Sequence, residues 1–329
     1  MIPVAKRRAF LGTLAGGLLL TPRVSGARQA VKVPVVGILH DRPAGRSAII
    51  EGVQGALRKL GYVDGQTINF EVRFAGGRRQ DLASLARDLV QRKVDVVFAV
   101  GPAALNAAKD AMGTIPIVGI ALEIDPVAAG YARSVAQPGG NVTGLFLDQP
   151  ALAGKWLQLI REMVPGSNRI ALLRDPTTGP WQLAAAKAIG HELGIELQIH
   201  EAQYATDFDE VFRAVAQGRS QALVQLTSPA IDLHARRIAE LTLKQRLPAI
   251  SPFRAFATGG GLMSYGPDQT AIYPRLASYI DKIVKGAKPG DLPIEEPEKF
   301  DLIINLKTAK ALGLTIPPSL LARADQVIE

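Results

Sequence analysis

The stretch Val33-Pro34-Val35-Val36-Gly37-Ile38-Leu39-His40-Asp41-Arg42-Pro43-Ala44-Gly45 sets the fold class. Residues 33–39 are an apolar run of strand length, the pattern of a strand buried on both faces. The period then changes. Within 47–60, Ile49, Ile50, Val53, Leu57 and Leu60 fall on one helical face, and Gly61 closes the segment as a C-terminal glycine does. The alternation continues with strands at 68–74, 94–100 and 115–120 and helices at 81–92 and 103–111. A βαβα order of this kind builds a mostly parallel sheet with helices on both faces.

The pattern restarts after Asn141-Val142-Thr143-Gly144. Helices are expected at 155–163, 181–193, 208–216 and 231–244, and strands at 169–173, 196–200, 222–226 and 249–250. Gly259-Gly260-Gly261 leads into an apolar segment at 262–263, followed by a helix at 272–285. A Pro-rich stretch to Pro297, a strand-like 302–304 and a helical tail at 308–312 and 318–324 complete the chain. The class is α/β, with two doubly wound parallel-sheet lobes. Lobe one is expected to hold 33–144 plus about 262–292 and lobe two 145–261 plus about 293–329, so the C-terminal extension returns to the first lobe and finishes on the second.

Composition agrees. The 329 residues suggest about two domains, and 47% apolar with 21% charged is a globular balance. Zero cysteines exclude disulfides, thiolate catalysis, zinc–thiolate sites and iron–sulfur clusters. The four histidines, His40, His191, His200 and His234, have no metal-ligand spacing, so no metal and no cofactor is expected. The formal charge of +8 is partly local, because residues 1–27 carry Lys6, Arg7, Arg8 and Arg23 and no acid. Removing those four leaves 34 of the 38 basic residues against 30 acidic, with no basic stripe interleaved with aromatics, so no nucleic-acid partner is expected.

The same 27 residues read as a signal peptide: a basic start, a short apolar core and a small-residue end at Ser25 and Ala27. The core is too short for a membrane anchor. Paired arginines before Phe10 and Leu11 resemble the twin-arginine type. The mature chain is expected in the periplasm, which counts against ATP- or NAD-dependent chemistry.

In open α/β sheets ligands sit beyond the carboxyl ends of the strands. That rule selects His40-Asp41, Gly101-Pro102-Ala103, Glu123 with Asp125, Asp175 to Thr178, Thr227-Ser228 and Ser251 to Arg254. His40 reads as a ligand contact, a general base or a solvated loop residue. Gly101 followed by Pro102 at a helix start leaves amide groups able to hold a carboxylate or phosphate oxygen, or is an ordinary tight turn. Asp125 caps a following helix or meets a ligand ammonium. Trp181 stacks on a ligand ring or covers a loop, and Tyr265 is a cleft, hinge or core residue. No nucleophile elbow, P-loop, HExxH or dinucleotide fingerprint occurs, so the chain reads as a binder rather than an enzyme.

Several strings carry a resemblance. They are Pro34 to Leu39, Gly61-Tyr62-Val63-Asp64-Gly65-Gln66, Gln137-Pro138-Gly139-Gly140-Asn141-Val142-Thr143-Gly144, Gly260-Gly261-Leu262-Met263-Ser264-Tyr265-Gly266, and Asn305 to Leu314. Together they resemble the substrate-binding proteins of ABC transporters, in a group whose members include tryptophan and tyrosine binders. The resemblance implies a type I periplasmic-binding-protein fold with three crossing strands. It also implies capture of a small solute and its delivery to an inner-membrane permease driven by an ATPase. Strand-end position and residue chemistry, taken with this two-lobed reading, give the expected ligand site: His40, Asp41, Gly101, Pro102, Ala103, Asp125, Thr177, Thr178, Trp181, Ser228, Phe253 and Tyr265. Where members commonly carry hydroxyl residues this chain has Gly101-Pro102-Ala103-Ala104 and Leu145-Phe146-Leu147, and it has Asp175 to Pro180 where members show an Asn-Pro-Thr string. A more apolar contact set follows, with an aromatic or branched amino acid or an aromatic acid as solute. A monomer is the default for the fold. A ligand-sensing module that presents its solute to a receptor shares the fold, as does a regulator core. A periplasmic enzyme using His40 with Asp41 or Asp125 is the remaining alternative.

Overall fold

The computed structural model describes residues 32–45, 47–121, 124–146, 150–178 and 180–329. The expected leader, Glu123, Leu147 and Gly179 lie outside them.

Strand β1 (Val35–His40) is the centre from which the first lobe grows. It pairs in parallel with β2 (Asn69–Phe74) on one side and β3 (Val96–Val100) on the other, so His40 stands in register between Phe74 and Val100. With β4 (Ile117–Ala121) and β5 (Val142–Phe146) the order is β2-β1-β3-β4-β5. The apolar run of β1 is explained by its two faces. Val36 and Ile38 pack under α1 (Ala48–Lys59), and Leu39 packs against α2 (Leu82–Gln91) and α3 (Pro102–Met112).

The second lobe runs α4 (Pro150–Met163), β6 (Arg169–Arg174), α5 (Pro180–Glu192), β7 (Glu196–Glu201), α6 (Phe208–Gln217) and β8 (Ala222–Gln225). It continues through α7 (Pro229–Asp232), α8 (Ala235–Lys244), β9 (Ala249–Ser251), α9 (Arg254–Thr258) and β10 (Met263–Pro267). Helix α10 (Gln269–Val284) then returns to pack beside α1 on the first sheet, where Leu276 and Ile280 join its core. The chain closes with β11 (Phe300–Asn305), α11 (Leu306–Leu312), α12 (Pro318–Leu321) and β12 (Gln326–Ile328). The second sheet has the order β12-β11-β10-β9-β8-β6-β7, parallel except where β10 meets β11. Trp156 of α4 is fully buried on one face, and its indole N–H donates to the Tyr265 carbonyl at 2.7 Å. Phe208 and Phe212 of α6 fill the other face.

The α/β class with two parallel-dominated sheets is as the sequence indicates, and five details differ. Residues 142–146 form a fifth strand of the first sheet, an element the sequence pattern did not mark as a strand. The helix expected over 231–244 breaks at Leu233-His234 into α7 and α8. Helix α9 and strand β12 escaped because five and three residues carry no readable period. The crossings also shift. Residues 263–267 stay in the second sheet, so the return to the first lobe begins after Pro267 rather than near 262. Glu295 still bridges Leu145 of the first sheet, so the last crossing comes just before Phe300 rather than near 293. The two later crossings run side by side, with the Asp268 amide donating to the Lys299 carbonyl at 2.8 Å.

Candidate functional site

The carboxyl ends of β1, β3 and β4 open into a cavity of about 310 Å³ that the second lobe covers. His40, Val100, Gly101 and Ile120 form its floor. The first turns of α1 and α10 add Ala48, Ile49, Gln269, Ile272 and Tyr273, and the second lobe closes it with Asp232, Phe253 and Arg254. The volume lies at the lower end for small-molecule sites, and mixed apolar walls with few polar groups are typical of them.

Gly101 is there because of its backbone. Its φ of 87° favours glycine, and its carbonyl accepts the first hydrogen bond of α3 from Leu105 N–H at 3.0 Å. His40 is 1% exposed. Its Nδ1 lies 3.1 Å from Asp41 Oδ1, its ring stacks on Phe74, and burial lowers its pKa. Across the cleft, Arg42 Nη2 donates to Asp232 Oδ2 at 3.0 Å. Burial drives the Asp232 carboxyl up to about 6, outweighing the attraction of Arg42. Among the described residues, Arg42 Nε and Asp232 Oδ1 are buried with no hydrogen-bond partner.

A second set of contacts ties the lobes together beside this cavity. Arg79, from the loop after β2, places Nη2 3.1 Å from Asp175 Oδ2 and Nε 3.8 Å from Asp41 Oδ2, and it also donates to the Thr177 hydroxyl. Asp175 has no solvent exposure; its carboxylate also accepts from the Ser228 hydroxyl at 2.9 Å and from the Thr177 amide and hydroxyl at 2.8 and 2.6 Å.

Of the residues selected from sequence, the structure brings His40, Gly101, Phe253 and Arg254 to the cavity. Pro102 and Ala103 form the adjoining first turn of α3. Asp41, Thr177 and Ser228 belong to the ion-pair network between the lobes. The Thr178 hydroxyl is turned back onto the Asp175 carbonyl at 2.7 Å. Asp125 is exposed and accepts from the Val127 and Ala128 amides, so it caps a turn and no helix follows. Trp181, at the start of α5, is 53% exposed. Tyr265 stacks on Phe300 at the crossing strands. Arg42, Asp232, Gln269 and Tyr273 were missed. Asp232 reads as one more polar residue within a helix, and only the break after it marks its position.

The family profile described as ABC transporter substrate binding protein matches residues 32–328. The chain belongs to that family. This substrate-binding protein is 25% identical over 270 residues to a tyrosine-binding protein of Clostridioides difficile, covering 80% of this chain and 76% of that one. It superposes with a TM-score of 0.83 on the crystal structure of a conserved domain protein from Vibrio cholerae at 27% identity, covering 90% of this chain and all of the other. A Streptococcus ABC domain in complex with L-Trp gives a TM-score of 0.81 at 24% identity over 90% of this chain and 99% of that one, a likeness of fold. The two-lobed periplasmic-binding-protein architecture is thereby shown. No helix among the described residues of this substrate-binding protein is long and apolar enough to cross a membrane.

Proposed function

We propose that this chain captures a small amino-acid-like solute between its lobes and delivers it to the permease and ATPase of an ABC importer. The observation that supports it most is a cavity at the strand ends of one lobe, roofed by the other, with one acidic side chain on its wall. Ile49, Val100, Ile120, Phe253, Ile272 and Tyr273 suit an apolar or aromatic side chain. Asp232 Oδ1, unpartnered, suits an ammonium group, and the Gly101 turn suits a carboxylate. The named ligands of the relatives, tyrosine and L-Trp, agree with this choice. The basic, then apolar, then small-residue leader fits export to the periplasm, where such a binder meets its solute. The reading requires binding without turnover.

The test is thermal unfolding of the mature chain, stripped of solute by unfolding and refolding, against L-tyrosine, L-tryptophan, branched amino acids and aromatic acids. A ligand at a hundred times its Kd adds about 2.7 kcal/mol, which raises Tm by about 5 °C for a chain of this size. Asp232→Ala abolishes the shift for amino acids. A shift that survives this substitution unchanged removes the ammonium assignment, and no shift with any class removes the solute reading.

A further inference from the structure

His40 holds a hydrogen-bonding atom that nothing in the protein uses. The ring's contacts fall on Nδ1, with Asp41 Oδ1 at 3.1 Å and the Arg42 amide at 3.4 Å, and the two ask for opposite tautomers, since Nδ1 either donates to the first or accepts from the second. Nε2 has no partner among the described residues, although the side chain is 2% exposed and lines the cavity. A carboxylate oxygen only accepts, so the shorter contact places the proton on Nδ1 and leaves Nε2 a lone pair. The Asp41 carboxylate, itself 3.8 Å from Arg79 Nε, is the partner that favours this ring orientation, and Phe74 stacks beside the ring. Burial favours the neutral form. The sheet register places Val100, a cavity wall, beside it.

We propose that His40 is the specificity-determining residue of this cavity, its Nε2 accepting a hydrogen bond from an O–H or N–H on the otherwise apolar end of the solute. The inference rests on the solute-capture reading above and narrows it to ligands of amphipathic side chain, such as a phenol or an indole. A hydrocarbon ring in the same place leaves a buried acceptor unpaired. Sites built to hydrogen-bond a hydroxyl reject the analogue lacking it far more strongly than apolar pockets discriminate by shape. The charged groups facing His40 are Asp41 and Arg42 from its own strand end, Arg79 from the loop after β2, and Asp232 of α7 through Arg42. These groups meet both members of a matched pair alike, so the ratio within a pair isolates His40.

The experiment is calorimetric titration with two such pairs, L-tyrosine against L-phenylalanine and 4-hydroxyphenylacetate against phenylacetate, on the mature chain, His40→Phe and His40→Gln. ¹⁵N NMR of the histidine rings in the wild type runs beside it and gives both the tautomer and the pH at which His40 titrates. Above that pH the wild type takes the hydroxylated member of at least one pair about tenfold or more tightly. The ratio falls to near one in His40→Phe, and His40→Gln, which keeps an acceptor, retains part of it. The NMR series shows Nε2 unprotonated in the neutral ring. A ratio near one in the wild type above the titration of His40, a ratio that persists in His40→Phe, or a proton on Nε2 in the neutral ring overturns the proposal while leaving solute capture standing. A wild type that binds none of the four compounds overturns this proposal, and solute capture falls with it only where the thermal screen shows no shift with any class. Should His40→Phe fail to fold, the wild-type ratio, His40→Gln and the tautomer still decide.

Discussion

Asp232 illustrates how a single residue couples the site to the closing of the lobes. It is held by Arg42 at 3.0 Å yet its carboxyl is raised to about 6, because loss of water costs more than the cation returns. The sign of the linkage follows. A carboxyl whose native pKa exceeds its unfolded value contributes stability that is present below about pH 4 and is lost as pH rises through about 6. The melting temperature of the wild type minus that of Asp232→Asn therefore is largest near pH 4 and smallest above pH 6. Paired melts from pH 4 to 7.5 check this, and a difference that grows with pH contradicts the burial argument. Asp232 also marks what sequence leaves hidden. The strand-end rule finds main-chain positions such as Gly101 and the residue at the end of β1, because a strand's end is a local feature. The Arg42–Asp232 pair joins residues 190 positions apart and has no local sign at all.

At the scale of elements, the motif glycines acquire a physical reason. Gly144 of β5 has a φ of 134°, and a Cβ there would stand 2.0 Å from the Gly119 carbonyl oxygen of β4. Gly266 of β10 would place one 1.8 Å from the Pro252 carbonyl oxygen, and one at Gly261 would stand 2.2 Å from the Phe256 ring. These contacts involve neighbouring strands or the α9 turn, so the strings around 137–144 and 260–266 are positions where backbone meets backbone or an aromatic ring. Gly144→Ala is expected to destabilise the chain by about 2–4 kcal/mol, from overpacking and backbone strain together. Gly113→Ala, also at positive φ but in open space, is expected to cost about 1 kcal/mol. Urea unfolding separates the two, and equal losses would remove the close-approach explanation. The long periodic elements of both lobes were legible because burial on one or two faces imposes a period. Helix α9 and strand β12 were not, since their place is set by neighbours already folded: β12 by pairing with β11, and α9 by packing on β10 and α8.

For the whole molecule, the question is what holds the lobes together around the cavity. Two cations of the first lobe reach acids of the second, Arg42 to Asp232 and Arg79 to Asp175. They are not equivalent. The first pair leaves Arg42 Nε and Asp232 Oδ1 without partners, which costs closure about 1–3 kcal/mol per atom. The second is well satisfied, because Asp175 keeps Ser228 and Thr177 in addition to Arg79. Arg79 is therefore the contact that favours the closed arrangement, and the polar atoms left unpaired beside the cavity are what a solute must compensate. A solute drives closure only through its extra affinity for the closed form, and its apparent affinity falls with the fraction of molecules able to adopt that form. Arg79→Ala removes the latch without touching the cavity wall. Asp175 then retains its hydroxyl and amide donors, so the second lobe stays folded. The expected outcome is a larger radius of gyration in small-angle scattering for the solute-free variant, a return to the wild-type value at saturating solute, and an affinity lower by about tenfold. Unchanged scattering together with unchanged affinity would mean that the lobes are held by the crossing strands alone. In that case the Arg79 contacts follow closure and do not set it.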